Sequence, residues 1–214
     1  MNLNPFIEHT LLNSSATEED ILTLCKEAIE HDFFGVCVNG CYVKAASKYL
    51  KQNDIKIVSV VGFPLGAASA ESKVFEAKTA IEHGADEIDM VMNIGFLKSG
   101  KTEAVQKEIE NVKNAIGSKT LKVILETCFL SETEIRTACQ LALSAGADFV
   151  KTSTGFGSGG ATEKAVQVMA EEVETKMKIK ASGGIRDAET AKKYIDLGVS
   201  RIGTSSGINI VSEI

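Results

Sequence analysis

The sequence lacks the features of a membrane or secreted protein. It contains no apolar run of about 18 residues, the length that a helix needs to span a bilayer, and it shows no signal-peptide pattern. Its five cysteines are an odd number without the spacing of a zinc ribbon, which favours a reducing compartment. We therefore expect a soluble cytoplasmic protein. The cysteines are Cys25, Cys37, Cys41, Cys128 and Cys139.

The sequence also has no excess of positive charge and little histidine. Its formal net charge is −6, which argues against a polyanionic partner such as nucleic acid. A small phosphate group is still an acceptable ligand, because backbone amides can bind it without a global positive charge. The three histidines are His9, His31 and His83, and the last two fall at predicted helix ends. This scatter argues against a metal site, and we expect neither a metal nor another cofactor.

What the sequence does contain is a regular alternation of short apolar segments with longer amphipathic ones. The short segments are predicted to be strands and the longer ones helices. Capping boxes begin two of the helices, at Thr17 with Asp20 and at Ser131 with Glu134. The eight predicted strands span residues 6–12, 35–39, 55–63, 87–93, 121–127, 149–155, 178–184 and 201–207.

A pattern of helix, glycine and strand recurs along the chain. Gly84, Gly146 and Gly198 end helical patterns, and they open the similar segments GADEIDMV, GADFVKTS and GVSRIGTS. The repeat predicts an α/β protein with a TIM (β/α)₈ barrel, a single domain over residues 1–214. A doubly wound open sheet is the alternative, but it requires a glycine fingerprint after the first strand. The segment there, NSSATEED, has no glycine.

Four predicted strands bear charged side chains on the face opposite their apolar stripe. Side chains alternate along a strand, so in a closed barrel these charges point into the lumen. Taken alone, each charge is explained by a strand end or by a structural ion pair, and Glu87 and Lys178 at strand starts fit that explanation. Two lysines and an aspartate in one lumen are costly unless they do chemistry. The charged residues are Glu87 and Asp89, Lys122 and Glu126, Lys151, and Lys178 and Lys180.

Lys151 and Lys180, on adjacent predicted strands, indicate Schiff-base chemistry. A free lysine has a pKa of about 10.4 and is not nucleophilic near neutrality. Two cations about 6 Å apart at an effective dielectric of about 20 repel by roughly 2.8 kcal/mol, or about two pKa units. A neutral lysine in a pocket attacks carbonyls and forms an imine.

Glycines and hydroxyl residues follow these lysines at the carboxyl ends of the predicted strands. Glycine lets backbone amides approach a ligand closely, and the loops after strands seven and eight of TIM barrels commonly bind phosphate. Tight turns alone would also explain the glycines, but three such clusters flank the same strand ends. The candidate phosphate and substrate residues are Thr154, Gly155, Gly183, Gly184, Gly203, Ser205 and Ser206.

The motifs DFVKTSTGFGSGGAT, KASGGIRD, ADEIDMVMNIGFLKSG, LKVILET, VVGFPLGA, VCVNGCYV and IEHTLL occur in order over nearly the whole chain. Together they resemble the deoxyribose-phosphate aldolase family, which are class I aldolases on a TIM barrel. The resemblance implies a metal-free reaction that joins acetaldehyde to glyceraldehyde 3-phosphate, or cleaves 2-deoxyribose 5-phosphate. It further implies that Lys151 forms the Schiff base, that Lys180 lowers its pKa, and that Asp89 transfers protons with Lys180 through a water molecule.

Cys37 and Lys122 are expected to line the pocket. Two departures from the family pattern, Asn13 and Gly40, have effects that the sequence leaves open. A third is Glu8, where IEHT replaces the commoner IDHT. None of the three is expected to touch the proposed proton relay. Another Schiff-base aldolase, a phosphosugar isomerase and, least favoured, a non-catalytic sugar-phosphate binding protein are the alternatives. The expected partners are a small phosphorylated sugar and acetaldehyde, with no nucleic acid and no membrane. Assembly into a homodimer or a homotetramer is also left open.

Overall fold

A computed structural model describes residues 1–212 as a closed barrel of eight parallel strands. Each strand pairs with its neighbours in chain order, and β1 closes the ring against β8. The predicted TIM barrel is therefore confirmed. The strands are β1 Ile7–Leu11, β2 Gly35–Val38, β3 Lys56–Val61, β4 Glu87–Val91, β5 Thr120–Ile124, β6 Phe149–Lys151, β7 Lys178–Ser182 and β8 Arg201–Thr204.

Helices connect the strands and surround the barrel. None of them, within the described part of the chain, is long and apolar enough to cross a membrane. The helices are α1 Glu18–Glu30, α2 Val43–Leu50, α3 Ala70–Glu82, α4 Ile94–Lys98, α5 Thr102–Ile116, α6 Glu132–Ser144, α7 Glu163–Val173, α8 Ala188–Asp196 and α9 Gly207–Ser212.

The predicted helix boundaries rest on local hydrogen bonds that the structure contains. Both capping boxes are present, at the first residues of α1 and α6, where each cap side chain accepts an N–H that would otherwise lack a partner. Glycines Gly84, Gly146 and Gly198 follow α3, α6 and α8 with φ of 106°, 78° and 95°. These values lie in the region that residues with a Cβ avoid, so glycine ends these helices for a steric reason.

The apolar core lies between the strands and the helices, and the barrel lumen holds little of it. The outward side chains of the strands, such as Ile88, Met90 and Val123, pack under the helices with no exposure. Inside the barrel, one apolar cluster comprises Leu12, Cys37, Val58 and Val60, with Phe63 beside it. Charged side chains occupy much of the remaining lumen.

The register of the strands sets the depth of each inward side chain. Lys151 pairs with Lys180 across β6 and β7, whereas Lys122 pairs with Asp89 across β4 and β5. Lys151 is opposite Ile124, two residues beyond Lys122. Lys122 therefore lies deeper in the barrel than Lys151.

The predicted strands extend too far at their carboxyl ends, most of all in β6. That strand was expected to span residues 149–155 but ends at Lys151. Beyond it, the Thr152 hydroxyl donates to the Ser182 carbonyl and accepts the Ser182 N–H, both at 3.0 Å. The Thr152 side chain thus replaces the backbone of β6 as the hydrogen-bond partner of Ser182. The backbone beyond Lys151 forms the loop above the barrel.

Candidate active site

Three lysines converge on one carboxylate inside the barrel. Asp89 Oδ2 lies 2.8 Å from Lys151 Nζ and 2.7 Å from Lys180 Nζ, and Asp89 Oδ1 lies 2.9 Å from Lys122 Nζ. Strands β4 to β7 each supply one of these side chains. The structure thus brings Lys151, Lys180 and Asp89 together in one lumen, and their catalytic roles stay predictions.

Two further carboxylates complete this group. Glu8 of β1 forms an ion pair with Lys180, and its other oxygen lies 3.4 Å from Lys122 Nζ. Glu87 Oε2 lies 2.5 Å from Lys122 Nζ, so it is paired below the site as expected. We call these six side chains the lumen cluster. Its members, Glu8, Glu87, Asp89, Lys122, Lys151 and Lys180, balance three formal positive charges with three negative ones.

Charge pairing outweighs burial in setting the protonation of the lumen cluster. Burial disfavours the charged form of Asp89, but the three lysines together hold the pKa of its carboxyl well below the ordinary value. Burial also disfavours the charged form of Lys180 and of Lys122, yet Asp89 and Glu8 raise the pKa of both ammonium groups. Asp89 is therefore an anion, and Lys122 and Lys180 are cations, near neutral pH.

The simple repulsion expected between Lys151 and Lys180 is opposed in the structure. Asp89 Oδ2 contacts both ammonium groups, and Glu8 neutralises part of the charge on Lys180. The sequence argument included the two cations but not the anion between them. Lowering of the Lys151 pKa by Lys180 stays a prediction.

Lys151 borders a cavity of about 340 Å³ at the carboxyl ends of the strands, here called the mouth cavity. Six of the seven predicted substrate residues also line it: Thr154, Gly155, Gly183, Gly184, Gly203 and Ser205. Ser206 does not belong to this lining, and its N–H instead donates to Thr204 Oγ1 at 2.9 Å. Arg186, exposed in the loop after β7, adds a guanidinium group that the sequence analysis did not single out.

Cys37 and Lys122 do not border the mouth cavity, contrary to expectation. Both are fully buried. Lys122 lies two register pairs below Lys151, and Cys37 packs in the apolar cluster of the lumen. Burial raises the pKa of the Cys37 thiol, which disfavours the nucleophilic thiolate form.

Two glycines around the mouth cavity are required by close approaches. A Cβ on Gly203 would lie 2.9 Å from Lys180 Cε, so the stem of this lysine occupies the space of a side chain. A Cβ on Gly160 would lie 2.1 Å from the Gly183 carbonyl oxygen. The loops after β6 and β7 therefore touch through their backbones.

The departures from the family pattern at Asn13 and Gly40 lie in different surroundings. Asn13 lines the mouth cavity, so it can contact a substrate there. A Cβ on Gly40 would meet only Ser59 Oγ, at the ordinary distance of 3.7 Å. Glycine is therefore not needed at position 40 for space.

Two carboxylates near the site were missed or misplaced. Glu8 was noted only as a departure from the family pattern, and the expectation that it does not touch the proton relay is wrong, because it forms an ion pair with Lys180. Alternation along β1 places Glu8 on the face away from Ile7 and His9 and could have identified it. Glu126 was expected on the lumen face with Lys122, but it follows the end of β5 in a left-handed conformation. Within residues 1–212, no three or more His, Cys, Asp or Glu side chains are grouped to hold a metal ion.

Comparisons with known proteins agree over nearly the whole chain. The family model of the DeoC/LacD family aldolases matches residues 6–213. The chain is 55% identical to the deoxyribose-phosphate aldolase of Clostridium novyi over 212 residues, covering 99% of this chain and 96% of that protein. It is 54% identical to the corresponding protein of Brevibacillus brevis, with the same coverage. The solved deoxyribose phosphate aldolase of Aeropyrum pernix, described as a unique tetrameric structure, has a TM-score of 0.90 and 35% identity, covering 99% of this chain and 90% of that one.

Proposed function

The chain belongs to the DeoC/LacD family of aldolases, and we propose that it reversibly cleaves 2-deoxy-D-ribose 5-phosphate to acetaldehyde and D-glyceraldehyde 3-phosphate through a Schiff base on Lys151. The observation that supports this assignment is the position of Lys151. It is the lysine of the lumen cluster that borders the mouth cavity, whereas Lys122 and Lys180 have no exposed surface. A substrate carbonyl in the cavity therefore reaches Lys151 first.

In the synthetic direction, the neutral amine of Lys151 attacks the carbonyl carbon of acetaldehyde. A C–N bond forms, the carbonyl oxygen takes a proton, and loss of water gives a protonated imine. This imine keeps the positive charge at Nζ that balanced the lumen cluster, so Asp89, 2.8 Å from Nζ, continues to stabilise it. The low pKa of the Asp89 carboxyl supports a role as this fixed counter-ion in the resting enzyme.

The imine then acts as the electron sink for the C–C bond. Loss of a methyl proton gives a neutral enamine, whose terminal carbon attacks the aldehyde carbon of glyceraldehyde 3-phosphate. The new alkoxide takes a proton, and water attacks the regenerated imine, which releases the sugar phosphate and the free amine. Cleavage runs through the same steps in reverse.

The loops after β7 and β8 are proposed to hold the phosphate. Gly183, Gly184 and Gly203 line the mouth cavity and bring backbone close to it, and Ser205 adds a hydroxyl group. Arg186 lines the same wall and provides a planar set of donors suited to phosphate oxygens. Lys151 lines the same cavity as these loops, so one small phosphorylated sugar is proposed to contact both.

Reduction with borohydride in the presence of acetaldehyde tests the assignment. We expect a two-carbon adduct on Lys151 alone, located by peptide mapping, and no adduct in a Lys151→Met variant. An isomerase or a binding protein would give no adduct, and a Schiff-base aldolase for a different donor would not be trapped by acetaldehyde. A label on Lys180 or Lys122 would overturn the choice of nucleophile. A cytoplasmic location and assembly into a homodimer or homotetramer stay predictions.

A further inference from the structure

Glu126 has an unusual backbone at the carboxyl end of the barrel. It follows β5 with φ 55° and ψ 62°, a left-handed conformation that is unfavourable for a residue with a Cβ. The two other non-glycine residues with positive φ in the described chain, Asp32 and Glu174, precede β2 and β7, on the opposite face of the barrel. Glu126 alone has this conformation beside the mouth cavity.

The Glu126 carboxylate is buried without a cation. Its side chain belongs to a residue that is 2% exposed, and no ion pair of Glu126 occurs within residues 1–212. Thr154 supplies the main contacts instead. The Thr154 N–H donates to Oε1 at 3.2 Å, and the Thr154 hydroxyl donates to Oε2 in a very short hydrogen bond.

The loop after β6 covers this carboxylate. A Cβ on Gly157 would lie 3.1 Å from Glu126 Cδ and 3.0 Å from Cys128 Sγ. The backbone of the loop is thus in direct contact with the Glu126 side chain, which keeps solvent from competing for its oxygens. The hydrogen bonds to Thr154 are therefore stronger than they would be in water.

These contacts fix the polarity of the Thr154 hydroxyl. A hydroxyl group has one proton and two lone pairs. The proton points to Glu126, and one lone pair accepts the Phe156 N–H at 3.0 Å. One lone pair is left, and Thr154 lines the mouth cavity. Toward a ligand in that cavity, Thr154 Oγ1 can only accept a hydrogen bond.

We infer that Glu126 is a positioning residue that makes Thr154 a hydrogen-bond acceptor for the hydroxyl group of the acceptor aldehyde. The inference rests on the proposed function. Glyceraldehyde 3-phosphate has a single hydroxyl group, on the carbon between its aldehyde and the carbon that bears the phosphate. Thr154 lines the same cavity as Lys151 and the phosphate loops. Acetaldehyde has no hydroxyl group, so Thr154 and Glu126 act only in the second half of the reaction.

Two assays separate the halves of the reaction. Exchange of the methyl protons of acetaldehyde with deuterium oxide reports imine and enamine formation at Lys151. Aldol addition is then measured with glyceraldehyde 3-phosphate and with 3-oxopropyl phosphate, which lacks the hydroxyl group. We expect Glu126→Gln to leave the exchange rate within about twofold and to lower kcat/KM for glyceraldehyde 3-phosphate by about tenfold to a hundredfold, the range for a lost hydrogen bond to a charged group. The rate with 3-oxopropyl phosphate is expected to stay unchanged.

Matched variants control for general damage. Glu174→Gln alters another glutamate with positive φ, but one that is exposed on the opposite face of the barrel, and it is expected to change neither assay. Thr154→Ser keeps the hydroxyl group and is expected to retain the preference for the hydroxylated aldehyde, whereas Thr154→Val loses it. Adding Glu126→Gln to Thr154→Val should cause no further loss of preference, because both changes remove one interaction.

Three outcomes would overturn the inference. Equal losses with both aldehydes would mean that Glu126 supports the fold, and a loss of deuterium exchange would mean that it acts on Lys151. An additive loss in the double variant would place Glu126 outside the Thr154 interaction. Glu126→Asp, which keeps the charge but shortens the reach, serves the same test if Glu126→Gln does not fold. Failure of the proposed function is distinct, because the parent protein would then show neither exchange nor borohydride trapping.

Discussion

Replacing Lys180 by methionine is expected to move the pH range in which the enzyme works. The Nζ atoms of Lys180 and Lys151 lie 2.7 Å and 2.8 Å from the same oxygen of Asp89, so their separation cannot exceed the sum of those distances. Two cations about 5 Å apart at an effective dielectric of about 20 repel by roughly 3.3 kcal/mol. Methionine keeps a similar volume and removes that repulsion.

The loss of Lys180 favours the charged form of Lys151 in two ways. The repulsive cation is gone, and the carboxylates of Asp89 and Glu8 are left with one cation fewer to share. A change of roughly 3.3 kcal/mol corresponds to about 2.4 pH units. We therefore expect the rate near neutrality to fall by about a hundredfold and the pH–rate profile to shift to the alkaline side.

The assay is kcat/KM for cleavage between about pH 6 and about pH 10, the range in which lysines titrate. Lys180→Met is expected to recover as the pH rises, because the nucleophile is present but protonated. Lys151→Met is expected to stay inactive throughout. Lys122→Met is the matched control, since it removes a cation that contacts the other oxygen of Asp89 and lies two register pairs deeper than Lys151. Its shift is expected to be smaller.

Removing one partner of a buried charge group destabilises a protein by about 3–5 kcal/mol, so urea unfolding of each variant must accompany the kinetics. A folded Lys180→Met protein that is inactive at every pH would refute the electrostatic reasoning, because Lys180 would then be an obligatory proton carrier. Recovery of Lys151→Met at high pH would mean that another residue is the nucleophile.

Three further predictions concern phosphate, metal and stability. Ser205→Asp, on the wall of the mouth cavity, is expected to raise KM for the phosphorylated sugar more than for unphosphorylated deoxyribose, and Ser206→Asp to do so less; equal effects on both sugars would argue against a phosphate site there. Activity is expected to survive EDTA because the imine is the electron sink, and restoration by zinc after a loss would contradict this mechanism. Lys73→Met is expected to lower the free energy of unfolding by about 3–5 kcal/mol, since Lys73 Nζ lies 2.8 Å from Glu108 in a buried pair. Burial raises the pKa of the Glu108 carboxyl against the opposing effect of Lys73, so the contribution of Glu108 to stability is present at low pH and is lost as the pH rises through the folded pKa. The stability deficit of Lys73→Met should therefore be larger at about pH 8 than at about pH 5. An exposed control, Lys78→Met, should show no deficit.

The sequence predicts the barrel and the central residues of the site because both depend on local periodicity. Alternation along β4, β6 and β7 is enough to place Asp89, Lys151 and Lys180 on inward faces, and a closed sheet brings inward faces together. The glycines after the strands likewise mark close backbone approaches. These features require no knowledge of which strand ends lie at the same height.

The depth of a side chain in the barrel, and its ion pairs with distant parts of the chain, cannot be predicted from the local sequence. Lys122 was expected at the pocket wall, but the stagger of β5 against β6 places it below Lys151. Glu8 joins Lys180 only because the first strand closes against the last. Glu126 was expected to continue β5, but the strand ends at Ile124 and Glu126 has a left-handed backbone. Each of these outcomes depends on tertiary geometry that no single segment of the sequence contains.

The carboxylates of the lumen cluster come from the first half of the barrel, and its lysines come from the second half. Glu8 of β1 and Lys180 of β7 are 172 residues apart and form an ion pair inside the closed barrel. Neither half could bury its own lumen face, because like charges would repel and lack counter-ions. The residues that are proposed to catalyse the reaction therefore also bring the two halves of the barrel together, because each half supplies the counter-ions that the other half lacks. The strands β1 to β4 supply Glu8, Glu87 and Asp89, and the strands β5 to β8 supply Lys122, Lys151 and Lys180.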